Sequence, residues 1–138
     1  MSESDVLPTV TARKRILVMD DEASILELTF RMLSSHGFEV VKSTSGDAAV
    51  LLYREAKDAG NPFHAVILDL TVPEGMSGIE AFNAMKVYDP GVKAILSSGY
   101  SHEPVVLNYK QYGIAGVAPK PYKVKDLVAT VQGVVDGI

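Results

Sequence analysis

From Arg15 to the end of the chain, short apolar runs alternate with segments of helical period, five of each. Such alternation is the mark of parallel strands joined by crossover helices, and it predicts a doubly wound α/β sheet. The runs place strands over Arg15–Met19, Phe38–Val41, His64–Leu68, Val92–Leu96 and Ile114–Ala118. The first helix carries Ile25, Leu28, Met32 and Leu33 at helical spacing and stops at Gly37, where a left-handed cap is wanted. Ser45 reads as the N-cap of the second helix, with Asp47 in its first turn and Ala48, Leu51, Leu52 and Ala56 as its buried face. Gly60-Asn61-Pro62 closes that unit. Ile79, Phe82 and Met85 (or Val87) give a third helix that stops before Asp89-Pro90-Gly91. Glu103-Pro104 starts a fourth, with proline in its first turn, and Val124, Leu127, Val128, Val131 and Val135 form the face of a fifth.

In a doubly wound sheet, ligands sit beyond the C-terminal ends of the strands, where the strand order reverses. Asp20, Asp21, Asp69, Ser98 and Lys120 all fall at that edge. Each alone has an ordinary reading: an acidic pair capping a turn, an aspartate ending a strand, a turn serine, a surface lysine. Their coincidence at one edge is harder to explain that way. Three clustered carboxylates repel, so the chain needs a divalent cation, a shared proton or a nearby lysine to offset the charge, and Lys120 supplies the last. The pattern points to a phosphoryl and metal site.

The 138 residues fit one domain. Met1 to Lys14 reads as a flexible leader or linker, and residues 15–138 as the folded unit. Thirteen basic and seventeen acidic residues leave a net charge of −4 without a block of either sign, so nucleic acid is not expected as a direct partner. The absence of cysteine excludes disulfides, thiolate metal sites and cysteine nucleophiles. No apolar stretch is long enough to cross a bilayer, and the leader lacks the order of a secretory signal. The expectation is a cytoplasmic domain that makes no membrane contact. His36, His64 and His102 show no ligand spacing and are assigned to loop, strand and loop.

These motifs resemble the receiver domains of two-component response regulators. The resemblance runs from about Lys14 to the C-terminus. It rests on Val18-Met19-Asp20-Asp21-Glu22, on Ile67-Leu68-Asp69-Leu70 with Pro73 four residues beyond Asp69, on Ser98-Gly99 and on Lys120-Pro121. It implies a flavodoxin-like sheet of order 2-1-3-4-5 with five helices. It also implies that Asp69 accepts a phosphoryl group from a phosphohistidine, with Asp20, Asp21, Asp69 and the Thr71 backbone carbonyl holding Mg2+. The partner would be a sensor histidine kinase or a histidine phosphotransfer domain. Ser98 and Lys120 match the family's switch positions, with Ser97 as the other hydroxyl in reach, and the Lys120–Pro121 bond would be cis. Ile25 and Pro121 match positions that contact the phosphodonor helix. Val117 stands where the family usually carries an aromatic residue, so a coupled hydroxyl–aromatic rotation cannot run through that ring. The loop from Thr71 to Gly78 is one residue longer than the common form and resembles receivers fused to the C-termini of hybrid sensor kinases.

The chemistry implied is a switch that signals by protein contact or onward phosphotransfer, not a free-standing turnover enzyme. An aspartate-nucleophile phosphohydrolase would form the same intermediate, but such enzymes generally carry a second acid two residues after the nucleophile, and Thr71 stands there. A binding module that works without phosphorylation would not need every acidic and basic position present. Tyr100, Tyr109, Tyr112 and Tyr122 cluster in the last third of the chain and fit either a partner surface or packing on the sheet.

Overall fold

The computed structural model describes residues 13–73, 75–99 and 103–137. The expected leader thus lies outside the described residues apart from Arg13 and Lys14, as do Tyr100 and His102. In chain order the elements are β1 (Arg15–Met19), α1 (Ala23–Ser34), β2 (Glu39–Ser43), α2 (Gly46–Asp58), β3 (Ala65–Asp69), α3 (Gly78–Tyr88), β4 (Ala94–Ser98), α4 (Pro104–Leu107), β5 (Gly116–Pro119) and α5 (Val124–Asp136). All strand pairs are parallel, in the order β2-β1-β3-β4-β5. The order therefore reverses between β1 and β3, and the carboxylates stand at the ends of these two strands.

Side chains alternate between two cores, because successive residues of a strand point to opposite faces. Leu17, Met19, Val66, Leu68 and Leu96 pack with Tyr53, Phe82 and Met85 on one face. Ile16, Val18, Ile67 and Ile95 pack with Leu26, Leu33, Leu127 and Val131 on the other. β3 and β4 are buried along their whole length, as central strands covered on both faces must be.

β1 has the expected bounds, but the other four strands begin one or two residues later than expected and end later too. One cause recurs at the entrances of β2, β4 and β5 and at the exits of β2, β3 and β4, whereas His64, before β3, is exposed. Phe38, Val92 and Ile114 are buried at the strand entrances without belonging to the ladder, whereas Ser43, Asp69, Ser97 and Ser98 remain in it at the exits. Hydropathy therefore marks the burial, while the backbone pairing continues into polar residues.

The second helix is rotated from the expected face. Gly46, Ala49 and Tyr53 are its buried residues, Leu52 and Ala56 are half-buried, and Ala48 and Leu51 are exposed. Gly46 sets this rotation, since a Cβ there would lie 2.7 Å from the Met76 carbonyl oxygen. In α1, Leu26, Thr29 and Leu33 are buried and Leu28 is exposed. Thr29 is tolerated there because its hydroxyl donates to the Ile25 carbonyl at 2.7 Å. The fourth helix is a single turn followed by a 3-10 turn, Tyr109–Tyr112. Two β-branched residues and Asn108 give this segment little helical propensity. Ser45 caps α2 through the Ala48 N–H at 3.2 Å. Ser77 and Glu80 form a reciprocal capping box at the start of α3, so this helix begins at a fixed point just after the site loop.

Candidate functional site

β1 delivers Asp20 and β3 delivers Asp69 to the same edge, where both side chains are buried, at 2% and 3% exposure. Lys120, just past β5, reaches back between them. Its Nζ lies 2.9 Å from Asp20 Oδ2 and donates to Asp69 Oδ1 at 3.2 Å. Asp20 Oδ1 accepts the Glu22 N–H at 2.9 Å, and Asp69 Oδ1 accepts a long bond from the Thr71 N–H at 3.4 Å. Asp21 is exposed beside them, and one oxygen from each of the three carboxylates falls within 4.8 Å of the others.

Burial, followed by the neighbouring Asp20 charge, pushes the Asp69 carboxyl up to about 6, against the opposing pull of Lys120. Burial also works against the Lys120 ammonium, yet the hydrogen bonds and charges of Asp20 and Asp69 outweigh it and hold its pKa above the ordinary lysine value. The cluster thus carries more negative charge than Lys120 offsets. Asp20 Oδ2 is buried and has the Lys120 ammonium 2.9 Å away. Acceptor-only oxygens from three carboxylates gathered around a single ammonium, with Asp21 exposed to water, fit a hard divalent cation such as Mg2+.

Ser98 is buried at the end of β4, and its carbonyl accepts the Lys120 N–H at 2.9 Å. The Lys120–Pro121 bond is cis. Ile25 is half-buried on α1 and Pro121 is exposed. His64 lies in the loop before β3 rather than in the strand, where its Nδ1 accepts the Arg15 N–H at 2.9 Å.

Two features of the site escaped the sequence reading. A Cβ at Gly78 would lie 2.4 Å from the Asp69 carbonyl oxygen, so only glycine lets α3 begin against the backbone of Asp69. The other is a buried hydroxyl pair, Ser97 Oγ with Tyr122 OH, on the α1/α5 side of the sheet. Neither has a sequence signature. Gly78 reads as one more loop glycine, and the pair joins residues twenty-five positions apart.

Residues 16–132 match the family model of the response regulator receiver domain. The chain belongs to that family. Among curated relatives it is similar to the DNA-binding response regulator MtrA of Mycobacterium tuberculosis, 33% identical over 122 residues that cover 88% of this chain and 50% of MtrA. It is also similar to the sensor kinase CckA of Brucella abortus, 29% identical over 117 residues that cover 85% of this chain and 12% of CckA. The chain spans about half the length of its MtrA relatives. The crystal structure of a receiver domain protein from Clostridium thermocellum superposes with a TM-score of 0.77, at 26% identity over 90% of this chain and 95% of that one. Receiver domains act in two-component phosphorelays with histidine kinases or phosphotransfer partners, and bind Mg2+ in an acidic pocket.

Proposed function

We propose that this receiver takes a phosphoryl group onto Asp69 from the phosphohistidine of a sensor kinase or histidine phosphotransfer domain, with Mg2+ held by Asp20, Asp21, Asp69 and the Thr71 carbonyl. The observation that carries the reading is the Lys120 ammonium set between two buried carboxylates, 2.9 Å from one and 3.2 Å from the other. An ionised carboxylate attacks phosphorus without a general base. The new bond is from Asp69 oxygen to phosphorus, the bond that breaks is from phosphorus to imidazole nitrogen, and the product is an acyl phosphate. Phosphoryl transfer asks the protein chiefly for position and charge. Lys120 supplies a cation on one side of the incoming group, and the Ser98 hydroxyl donates to a phosphoryl oxygen on the other. The bound cation, when present, offsets charge shared by the carboxylates and the phosphoryl oxygens.

The longer loop after Asp69 and the similarity to CckA favour a second, wider reading, in which the unit from residue 15 onward is the receiver of a hybrid kinase working in the cytoplasm, joined through residues 1–14. Ile25 and Pro121 flank the acidic edge and serve as contacts for the donor's helix. Output then proceeds by protein contact or onward transfer, since the new bonds to Ser98 and Lys120 bias an existing equilibrium between two arrangements of their loops.

Intact mass after incubation with acetyl phosphate tests the reading. A single Mg2+-dependent phosphoryl adduct, absent in Asp69→Asn, is the expected result. An adduct that persists in the variant would move the acceptor elsewhere. No adduct and no beryllofluoride complex in the folded chain would leave a binding module.

A further inference from the structure

We propose that Tyr122, tied to Ser97, is a positioning residue that fixes where the Lys120 ammonium stands. This deepens the reading above and rests on its assignment of Lys120.

Ser97 is an unusual occupant of its place. β4 is otherwise apolar up to this residue, Ser97 is 1% exposed, and a buried hydroxyl there is costly unless it is bonded. Tyr122 provides the bond. Tyr122 packs against the core on the α1/α5 side and also lines a cavity of about 230 Å³ with Ala118, Pro121, Leu127 and Thr130. The hydroxyl pair therefore adds a directional tie to a ring that has open space on one side.

That position matters because of what the two partners are attached to. Ser97 is the register partner of Asp69 across β3 and β4, and its carbonyl accepts the Leu70 N–H at 2.8 Å. Tyr122 is two residues beyond Lys120 on the same short connection between β5 and α5. A closed path results: Asp69 to Ser97 through the ladder, Ser97 to Tyr122 through the hydroxyls, Tyr122 to Lys120 through the backbone, and Lys120 back to Asp69 at 3.2 Å. Lysine is a point charge on a flexible four-carbon stem, so its base must be held if the charge is to be held. The Lys120 N–H bond to the Ser98 carbonyl fixes that base on one side, and the Tyr122 tie fixes it on the other.

A pair that merely satisfied two buried hydroxyls would affect unfolding and leave the lysine-dependent step alone. The test is a double-mutant cycle on the rate of phosphoryl uptake from acetyl phosphate at saturating Mg2+, beside crystal structures of the same chains without metal. Tyr122→Phe, and independently Ser97→Ala, should slow uptake about tenfold, since a misplacement on the order of 1 Å is worth that much or more. In a Lys120→Met background the same changes should have no further effect. The variant structures should show Nζ displaced from its contacts at 2.9 and 3.2 Å. Equal slowing in both backgrounds, native rates in both single variants, or an ammonium that has not moved would each overturn the inference. If Lys120→Met is as fast as the native chain, the assignment of Lys120 falls, and this inference with it. If Lys120→Met is slow and Tyr122→Phe is not, the assignment stands and the inference alone falls. Should the native chain take up no phosphoryl group, the displaced or unmoved ammonium still decides the matter.

Discussion

Two aspartates at opposite ends of the sheet receive opposite treatment. Asp89, at the C-terminus of α3, accepts the Tyr53 hydroxyl at 2.6 Å and the Gly91 N–H at 3.0 Å, with Lys57 at 3.5 Å. These partners, the Tyr53 bond foremost, hold its carboxyl below the ordinary range against the effect of burial. Asp69 has more burial, a second carboxylate beside it and weaker hydrogen bonding, and its carboxyl is pushed up to about 6. The Asp89 end spends its polar groups on each other and gains stability. The Asp69 end sets three carboxylates against one ammonium, which costs stability without metal and suits a divalent cation.

The largest test of that contrast is Lys120→Met, which leaves Asp20 and Asp69 facing each other in the interior. Without metal at neutral pH, urea unfolding should show a loss of about 3 kcal/mol. A loss under about 1 kcal/mol would put this contact with ordinary surface ion pairs. Next in size is Mg2+ itself, which at about a hundred times its Kd should stabilise the native chain by about 2.7 kcal/mol. Asp20→Asn and Asp69→Asn should lose most of this gain, whereas Asp89→Asn should keep it.

At the other end, Tyr53→Phe removes a bond to a charged acceptor and should cost about 1.5 kcal/mol at neutral pH. Because the folded Asp89 pKa is depressed, its contribution is present above the ordinary carboxylate pKa and is lost as pH falls through the folded value. The gap between native and variant should therefore close below about pH 4. The smallest effect has the opposite sign. Asp69 has a raised folded pKa, so the metal-free native state binds its proton more tightly than the unfolded chain does, and stability falls as pH rises through about 6. Asp69→Asn should accordingly gain about 1 kcal/mol at pH 7 without metal and almost nothing near pH 4. Thermal unfolding at the two pH values measures this, and a loss at pH 7 would erase the distinction between the two ends.

The sheet was legible because apolar runs and crossover spacing are local signals, and the acidic edge was legible because Asp20, Asp21 and Asp69 each end such a run. What hydropathy misplaced were the strand exits. Ser43, Asp69, Ser97 and Ser98 look like loop residues, yet they belong to the ladder, so the site stands on strands more than on loops. The face of α2 was misjudged because Leu51 outweighs Ala49 in any apolar count, whereas the rotation is set by contact between Gly46 and Met76, thirty residues apart. The Ser97–Tyr122 pair was hidden for a similar reason: each hydroxyl is unremarkable until the fold sets them together.

The approach of Gly78 to the Asp69 carbonyl has a consequence for how such a chain can change over time. The segment from Leu70 to Ser77 leaves Asp69 and returns to touch it, so its two ends meet at one point. An extra residue in a loop closed in this way bulges outward and shifts neither anchor, because the entropic penalty of a slightly larger closed loop is small. Met76 is held against Gly46 and Val72 packs on the core. An added residue is therefore taken up between these two points, and the surface the loop shows to other proteins can change while the carboxylate at its base stays where it is.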